Sequence, residues 1–353
     1  MKVLILGSKE YPFGKSDDKL PSGGMESYVQ DLAKHLIKLK IQPIIVTRKF
    51  ENLKSHEIIS DAEVHRVNWM RGFLFRGPSF NLFSFFKALN LDYDVILTNG
   101  IMATLFGCLL RSLKNKPIVA IPHGFAHTQK KYGPLAKILH LLEKNIYAKV
   151  KVIALSPNEA KKLKELGLKD VVIIPTPVDA SRFNPNKASK QVTICFVGRL
   201  AQVKGVEYFL KAIPKLQRNP KILIAGSGAD EGYYHKIAPK NADFLGFIEP
   251  TEVFNKSNIF VLPSLSEGLP ISLLEAMAAG CACVVTDIGL PVKNKENALV
   301  VPPANSEKLA EAINLLIKNK KLREKLGAAA RKYVKQFSWD KAALQFKELF
   351  LSL

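Results

Sequence analysis

The chain alternates short runs of β-branched and leucine residues with longer amphipathic stretches, and in its second half the same alternation starts again. Residues 3–6, 44–47, 95–98, 118–121, 152–155 and 171–174 read as buried strands, with helical periodicity between them over 25–39 and 135–148. This is the pattern of βαβ units building a parallel sheet. The second series has strands at 193–197, 222–225, 259–262 and 282–286, with helices over 206–216 and 271–279. A length of 353 residues is too much for one ordinary core, so the expectation is two α/β domains. Pro175-Thr176-Pro177 and the Pro, Asn, Ser and Lys of 179–190 have no apolar period, which is linker composition. Two doubly wound domains are expected to bind ligand at the carboxyl ends of their strands.

Composition excludes a disordered or collagen-like chain, since 47% of residues are hydrophobic and Gly and Pro number 21 and 20. The charge is +21, of which +14 lies in residues 1–190 and +7 in the rest. Such a field favours nucleic acid, phosphorylated substrates or an anionic membrane surface, and it serves equally for solubility. No helix-turn-helix, zinc finger or aromatic-basic RNA motif accompanies it, so no nucleic-acid partner is expected. Cys108, Cys195, Cys281 and Cys283 have no His beside them to complete a zinc site and read as reduced, buried thiols. The opening apolar run is shorter than a secretory h-region, and the run over 101–110 stops at Arg111, well short of a membrane span. The expectation is a cytoplasmic protein without a signal peptide.

Two phosphate-loop look-alikes fail on spacing. Gly14-Lys15-Ser16 has Lys9 where a Walker A loop needs its first Gly, and Gly226-Ser227-Gly228 has Glu231 where a dinucleotide fingerprint needs Gly or Ala. The segment 267–280 carries more information. Pro270 suits a first helical position and Gly280 a left-handed residue after the last turn, so the helix is bounded by its own residues. Its free N–H groups and positive end suit a diphosphate. Glu267 precedes this helix, and Glu275 lies inside it among Leu273, Leu274, Ala276 and Met277, where a carboxylate needs strong donors such as ribose hydroxyls. Arg199 and Lys204 follow the strand at 193–197 and offer a bidentate fork and a mobile point charge. Taken alone, they read as solvated loop cations, Glu267 and Glu275 as ordinary surface carboxylates, and His123 as a satisfied core histidine.

Taken together, the motifs resemble those of the retaining family 4 glycosyltransferases of GT-B fold. The resemblance rests on Glu267 and Glu275 eight residues apart, Gly198-Arg199-Leu200 with Lys204-Gly205, Gly226-Ser227-Gly228 and Pro263-Ser264. In the first half it rests on Gly23-Gly24-Met25-Glu26, His123-Gly124, Ser156, Ile174-Pro175, Val178-Asp179 and Arg182-Phe183. It covers nearly the whole chain and implies two Rossmann-like domains facing a central cleft. The domains would be 1–176 with a returning C-terminal helix at 340–353, which binds acceptor, and 191–339, which binds the donor, joined by a linker at 177–190. The implied reaction is transfer from a UDP-, GDP- or ADP-linked sugar to a carbohydrate or lipid-linked acceptor, with retention and hinge closure. Gly23 and Gly24 would admit the donor phosphates, Arg199 and Lys204 hold the diphosphate, Glu275 the ribose, and Glu267 with His123 the transferred sugar. Gly268, Leu269 and Pro270 would complete the donor-binding loop. No metal or other cofactor is implied. The alternatives are a GT-B-fold nucleotide-sugar epimerase and, on charge alone, a basic nucleic-acid-binding protein. The chain departs from the family pattern at Leu290-Pro291-Val292-Lys293 after Asp287-Ile288-Gly289, where the usual acidic residue is missing, and at Pro175-Thr176-Pro177.

One last feature concerns the acceptor. Trp69, Phe73, Phe75, Phe80, Phe83, Phe85 and Phe86 interleave with Arg71, Arg76 and Lys87, which suits the headgroup level of an anionic membrane. Core burial competes with this reading for the rings from Phe80 onward. Gly72 and Gly77 are expected to break any helix before them.

Overall fold

The computed structural model describes residues 1–12, 14, 24–72, 75–123, 136–185 and 191–353, and of residues 136–139 the backbone only. Gly23, Phe73, Gly124, Lys15, Ser16 and the end of the linker expected at 177–190 lie outside the described residues. The chain divides into two compact units, Met1–Pro175 with Trp339–Leu353, and Thr176–Ser338.

The first unit runs β1 (Lys2–Leu6), α1 (Gly24–Lys38), β2 (Gln42–Arg48), β3 (His56–Ile59), β4 (Ala62–Val67), α2 (Arg76–Leu89) and β5 (Val95–Asn99). It continues with α3 (Ile101–Lys114), β6 (Ile118–Ile121), α4 (Ala136–Tyr147), β7 (Lys151–Ala154), α5 (Pro157–Glu165) and β8 (Val171–Ile173). Its sheet has the order β3-β4-β2-β1-β5-β6-β7-β8, parallel except for the antiparallel β3–β4 edge. Successive side chains of a strand point to opposite faces. Val3 and Ile5 accordingly pack on one face with Leu32, Leu36, Trp339 and Phe346, while Leu4 and Leu6 pack on the other with Ala88, Leu110, Tyr147 and Leu163.

In the second unit β9 (Thr193–Val197), α6 (Val206–Ala212), β10 (Lys221–Ala225), α7 (Glu231–Ile237), β11 (Ala242–Gly246) and α8 (Pro250–Phe254) come first. They are followed by β12 (Ile259–Leu262), α9 (Ile271–Ala278), β13 (Ala282–Thr286), β14 (Leu299–Val301), α10 (Ser306–Lys318) and α11 (Lys320–Val334). The sheet is parallel in the order β11-β10-β9-β12-β13-β14, and its inner strands are buried on both faces. The last helix, α12 (Trp339–Leu351), belongs to the first unit, where the Trp339 ring lies 5.2 Å from that of Tyr28 and stacks on His35 at 5.4 Å.

Several expectations are corrected. The strands β3, β4, β11 and β14 escaped the apolar-run criterion; β4, for example, carries Glu63, His65 and Arg66 among its apolar residues. The helix expected over 206–216 ends at Ala212 and tightens into a 3-10 turn at Ile213–Lys215, where Pro214 withdraws a backbone donor. Gly77 does not break a helix: it sits in the first turn of α2, where backbone N–H groups have no intrahelical partner to lose. The start of the expected linker is part of the second unit, because Val178 and Phe183 are buried in its core against Phe254 and Met277. The four cysteines form no disulfide, and all but Cys108 are fully buried.

Candidate functional site

In an open parallel sheet, the loops after two neighbouring strands whose chains depart in opposite directions leave a crevice at their carboxyl ends. In the second unit that point lies between β9 and β12, since the chain proceeds from β9 to β10 and β11 on one side and β12 to β14 lie on the other. The loop after β9 supplies Gly198, Arg199 and Lys204, and the loop after β12 supplies Ser264 and Glu267.

Backbone crowding explains the glycines here. Gly226 has φ +130°, and a Cβ there would come within 1.9 Å of the Gly198 carbonyl oxygen. Gly205 has φ +64°, and its Cβ would meet the Pro263 carbonyl oxygen at 2.0 Å. The look-alike Gly226-Ser227-Gly228 thus presses the loop after β10 onto the loop after β9, where Leu200 N–H donates to Ser227 C=O at 2.9 Å.

That packing holds a charged pair. Lys204 ends a 3-10 turn that Gly205 terminates, and its Nζ lies 2.5 Å from Glu267 Oε1. Ser264 Oγ donates to the same oxygen at 2.8 Å, and Leu265 N–H bonds Val203 C=O at 2.9 Å, tying the two loops together. The Ser264 carbonyl in turn accepts from Thr286 Oγ1 at the end of β13. With side-chain exposures of 18% and 11%, Lys204 and Glu267 are largely removed from water, so their attraction is weakly screened. Arg199 is exposed and forms no ion pair among the described residues. Just beyond Glu267, Gly268 is exposed, Leu269 packs on the core, and Pro270 caps α9 with no side-chain bond. Pro270 is the N-cap residue, one position earlier than expected, because its ψ of 126° is extended. Gly280 takes the expected left-handed conformation at φ +67°. Glu275 is partly buried one turn further along α9.

In the first unit, His123 follows β6 in a left-handed conformation, φ +53°, that non-glycine residues rarely adopt. Asn99 Nδ2 donates to the Leu6 carbonyl at 3.1 Å, which turns its Oδ1 toward His123 Nε2 at 2.8 Å. The amide therefore selects the tautomer: Nε2 carries the proton and Nδ1 keeps its lone pair. Desolvation holds this imidazole at about 4, so it is neutral at physiological pH. Tyr28 meets the ring edge-on at 5.4 Å. Gly24 opens α1, and Glu26 in its first turn is buried, with Lys9 N–H 3.4 Å from its Oε1. Ser156 caps α5, accepting from Glu159 N–H at 3.0 Å. Asn99, Ser264 and Thr286 were assigned no role from the sequence; Ser264 entered only as part of the Pro263-Ser264 motif, and the signal of Asn99 and Thr286 is their position at a strand end.

Comparison with known proteins identifies the family and the fold. A family model described as Glycosyltransferase Family 4 matches residues 22–182, and one described as Glycosyl transferases group 1 matches residues 177–333. The chain is 24% identical over 385 residues to a D-inositol 3-phosphate glycosyltransferase of Corynebacterium aurimucosum, covering 93% of this chain and 91% of the relative. Its fold is similar to that of sucrose-phosphate synthase from Thermosynechococcus elongatus, with a TM-score of 0.85, 22% identity, and 99% and 98% of the two chains covered. It is also similar to Anabaena HepE in complex with UDP and glucose, with a TM-score of 0.82, 18% identity and all of both chains covered. These comparisons do not favour the epimerase alternative. With each half matching a glycosyltransferase model of its own and both built as Rossmann-like units, the chain belongs to the family 4 glycosyltransferases and has the GT-B fold.

Proposed function

We propose that this glycosyltransferase moves a sugar from a nucleoside diphosphate donor to a lipid-linked saccharide or membrane-lipid acceptor with retention of configuration. The observation that carries the donor reading is the Lys204–Glu267 pair, with Arg199 in the same loop as Lys204 and the start of α9 uncapped by a side chain three residues beyond Glu267. As the bond from sugar to diphosphate breaks, negative charge grows on the departing phosphate. Lys204, held in place by Glu267, and the fixed N–H groups of α9 are positioned to stabilise it, the exposed Arg199 can add its charge, and on this reading no divalent metal is needed. Glu275 takes the ribose hydroxyls. Glu267, its carboxylate already aligned by Ser264 and Lys204, takes hydroxyls of the transferred sugar. The neutral His123 offers Nδ1 as a further hydroxyl acceptor, and Gly24 admits the donor phosphates. The HepE complex with UDP and glucose makes UDP-linked sugars the first donors to test.

The acceptor reading rests on the outer face of the first unit. The side-by-side helices α2, α3 and α4 expose Leu82, Phe86, Leu105, Leu109, Leu113 and Leu141, with Leu113 65% exposed. Lys87, Arg111 and Lys144 interleave with them, and the one carboxylate of these three helices, Glu143, is buried. An apolar face edged by cations alone fits anionic lipid, so we place the enzyme at the cytoplasmic membrane surface. Trp69 belongs to a local cluster under Arg48, and Phe80 is core, so among the described rings those that face outward are Phe75, Phe83 and Phe86. No helix among the described residues is long and apolar enough to cross a membrane. A thermal-shift panel of UDP-, GDP- and ADP-linked sugars tests the donor site: a ligand at about 100 times its Kd adds roughly 2.7 kcal/mol. No shift with any nucleotide sugar or with UDP would overturn the donor reading.

A further inference from the structure

The antiparallel edge of the first sheet holds a side-chain cluster that glycosyl transfer does not use. On β3 and β4, His56 lies opposite His65. The adjacent pair is hydrogen-bonded, Arg66 N–H donating to Ser55 C=O at 2.7 Å. By the alternation of an antiparallel ladder, His56 and His65 then form the closely spaced, non-bonded pair, with Cα atoms about 4.5 Å apart. The period of two in a strand puts Glu63 on the same face as His65.

The side chains converge accordingly. The two imidazoles stack with centroids 4.5 Å apart and planes 13° from parallel. Glu63 Oε1 lies 2.7 Å from His65 Nε2 and 3.7 Å from His56 Nε2. One ligand atom from each of the three residues lies within 4.8 Å of the other two. The His65 side chain is 6% exposed, and its other ring nitrogen, Nδ1, is buried without a hydrogen-bond partner.

We propose that His56, Glu63 and His65 bind one divalent transition-metal ion, zinc by its donor set, and that the ion staples the edge strand β3 to β4. Two imidazoles and a carboxylate are a zinc ligand set, and water takes the fourth position of a tetrahedral site. Zinc–nitrogen bonds are about 2.0–2.1 Å, so the two stacked rings must turn out of parallel to bring one nitrogen of each onto the ion. Coordination replaces the hydrogen bond between Glu63 and His65. An edge strand is held by one neighbour only, and a cross-strand ion supplies the second attachment.

The test uses the full chain stripped with a chelator, then titrated with Co²⁺ and Zn²⁺. The expected result is one Co²⁺ per chain with a visible tetrahedral band, displacement of that band by Zn²⁺, and a rise in Tm on adding Zn²⁺. His56→Asn, at an exposed position, is expected to match the stripped wild type in circular dichroism and Tm. It is expected to lose the band and to weaken Zn²⁺ binding by at least about tenfold. Equal Zn²⁺ affinity and stoichiometry in wild type and His56→Asn, or no cobalt band in the wild type, would overturn the site. Neither readout involves sugar transfer, so it stands or falls apart from the donor reading.

Discussion

The two Rossmann-like units bury their sheets in the same way and differ in what they leave at the surface. The second gathers charge at one edge of its sheet: Lys204 and Glu267 come from the β9 and β12 loops, and glycines without room for a Cβ let those loops meet neighbouring backbone. The first spreads apolar side chains over the outside of α2, α3 and α4 and keeps its one carboxylate there buried. Charge is useful where it is fixed and partly desolvated, since a preorganised dipole need not reorganise as the reaction charge develops. Attraction to a membrane needs area and many weak contacts. The same layering thus supports a point-like site in one unit and a broad surface in the other.

The contrast breaks first at Lys204. Lys204→Ala is expected to lower kcat by about 10²–10³, the usual loss for one preorganised donor to a developing anion, while circular dichroism stays native. Turnover near wild type would mean that the charged edge of the second unit is not where leaving-group charge is met. Next in size is a pH effect in the first unit. The His123 imidazole sits near 4 in the folded chain and at 6.5 when free. Above 6.5 both states are neutral and it adds no pH dependence. As pH falls from 6.5 toward 4, the unfolded chain takes the proton first, so folded stability is lost, by up to roughly 3 kcal/mol at full protonation. Urea titrations at pH 7 and pH 4 on wild type and His123→Gln measure this, and identical pH slopes would refute the buried neutral imidazole.

Smaller changes sharpen the comparison. Arg199→Ala and Glu275→Gln are each expected to lower turnover at least about tenfold, roughly 1.4 kcal/mol, without loss of Tm. Near-wild-type kinetics in either folded variant would remove that side chain from the donor site. Arg111→Ala is expected to weaken partition onto anionic vesicles about fivefold at low salt, the share of one cation near the surface. High salt should reduce the difference as the Debye length shrinks, and failure of the wild-type chain to co-sediment with anionic vesicles would leave the apolar face without a lipid role. The smallest expected effect is none: EDTA should leave turnover unchanged, whereas loss of activity with rescue by Mg²⁺ or Mn²⁺ would show that Arg199, Lys204 and the α9 terminus do not suffice.

Legibility in the sequence followed how local each determinant is. The buried strands of both parallel sheets were plain, because a strand covered on both faces is a continuous apolar run, as in residues 282–286. The edge strand β3 and its neighbour β4 were not: His56, Glu63, His65 and Arg66 interrupt their apolar residues, and without an apolar run nothing marks them. In α2 the aromatic content was visible, but Phe80 went to the core while Phe83 and Phe86 went outward, a division set by how the helix rests on β2 and β4.

The sequence by itself therefore determined the α/β alternation and its restart, and the span of α9 between Pro270 and Gly280, since burial periodicity and backbone torsion preferences act within a few residues. Only the tertiary structure decided that Lys204 pairs with Glu267 across 63 residues, that Asn99 sets the tautomer of His123, that His56 faces His65, and that Trp339 returns to Tyr28 and His35. Each of these contacts depends on strand order and register, which long-range packing settles and no local pattern encodes.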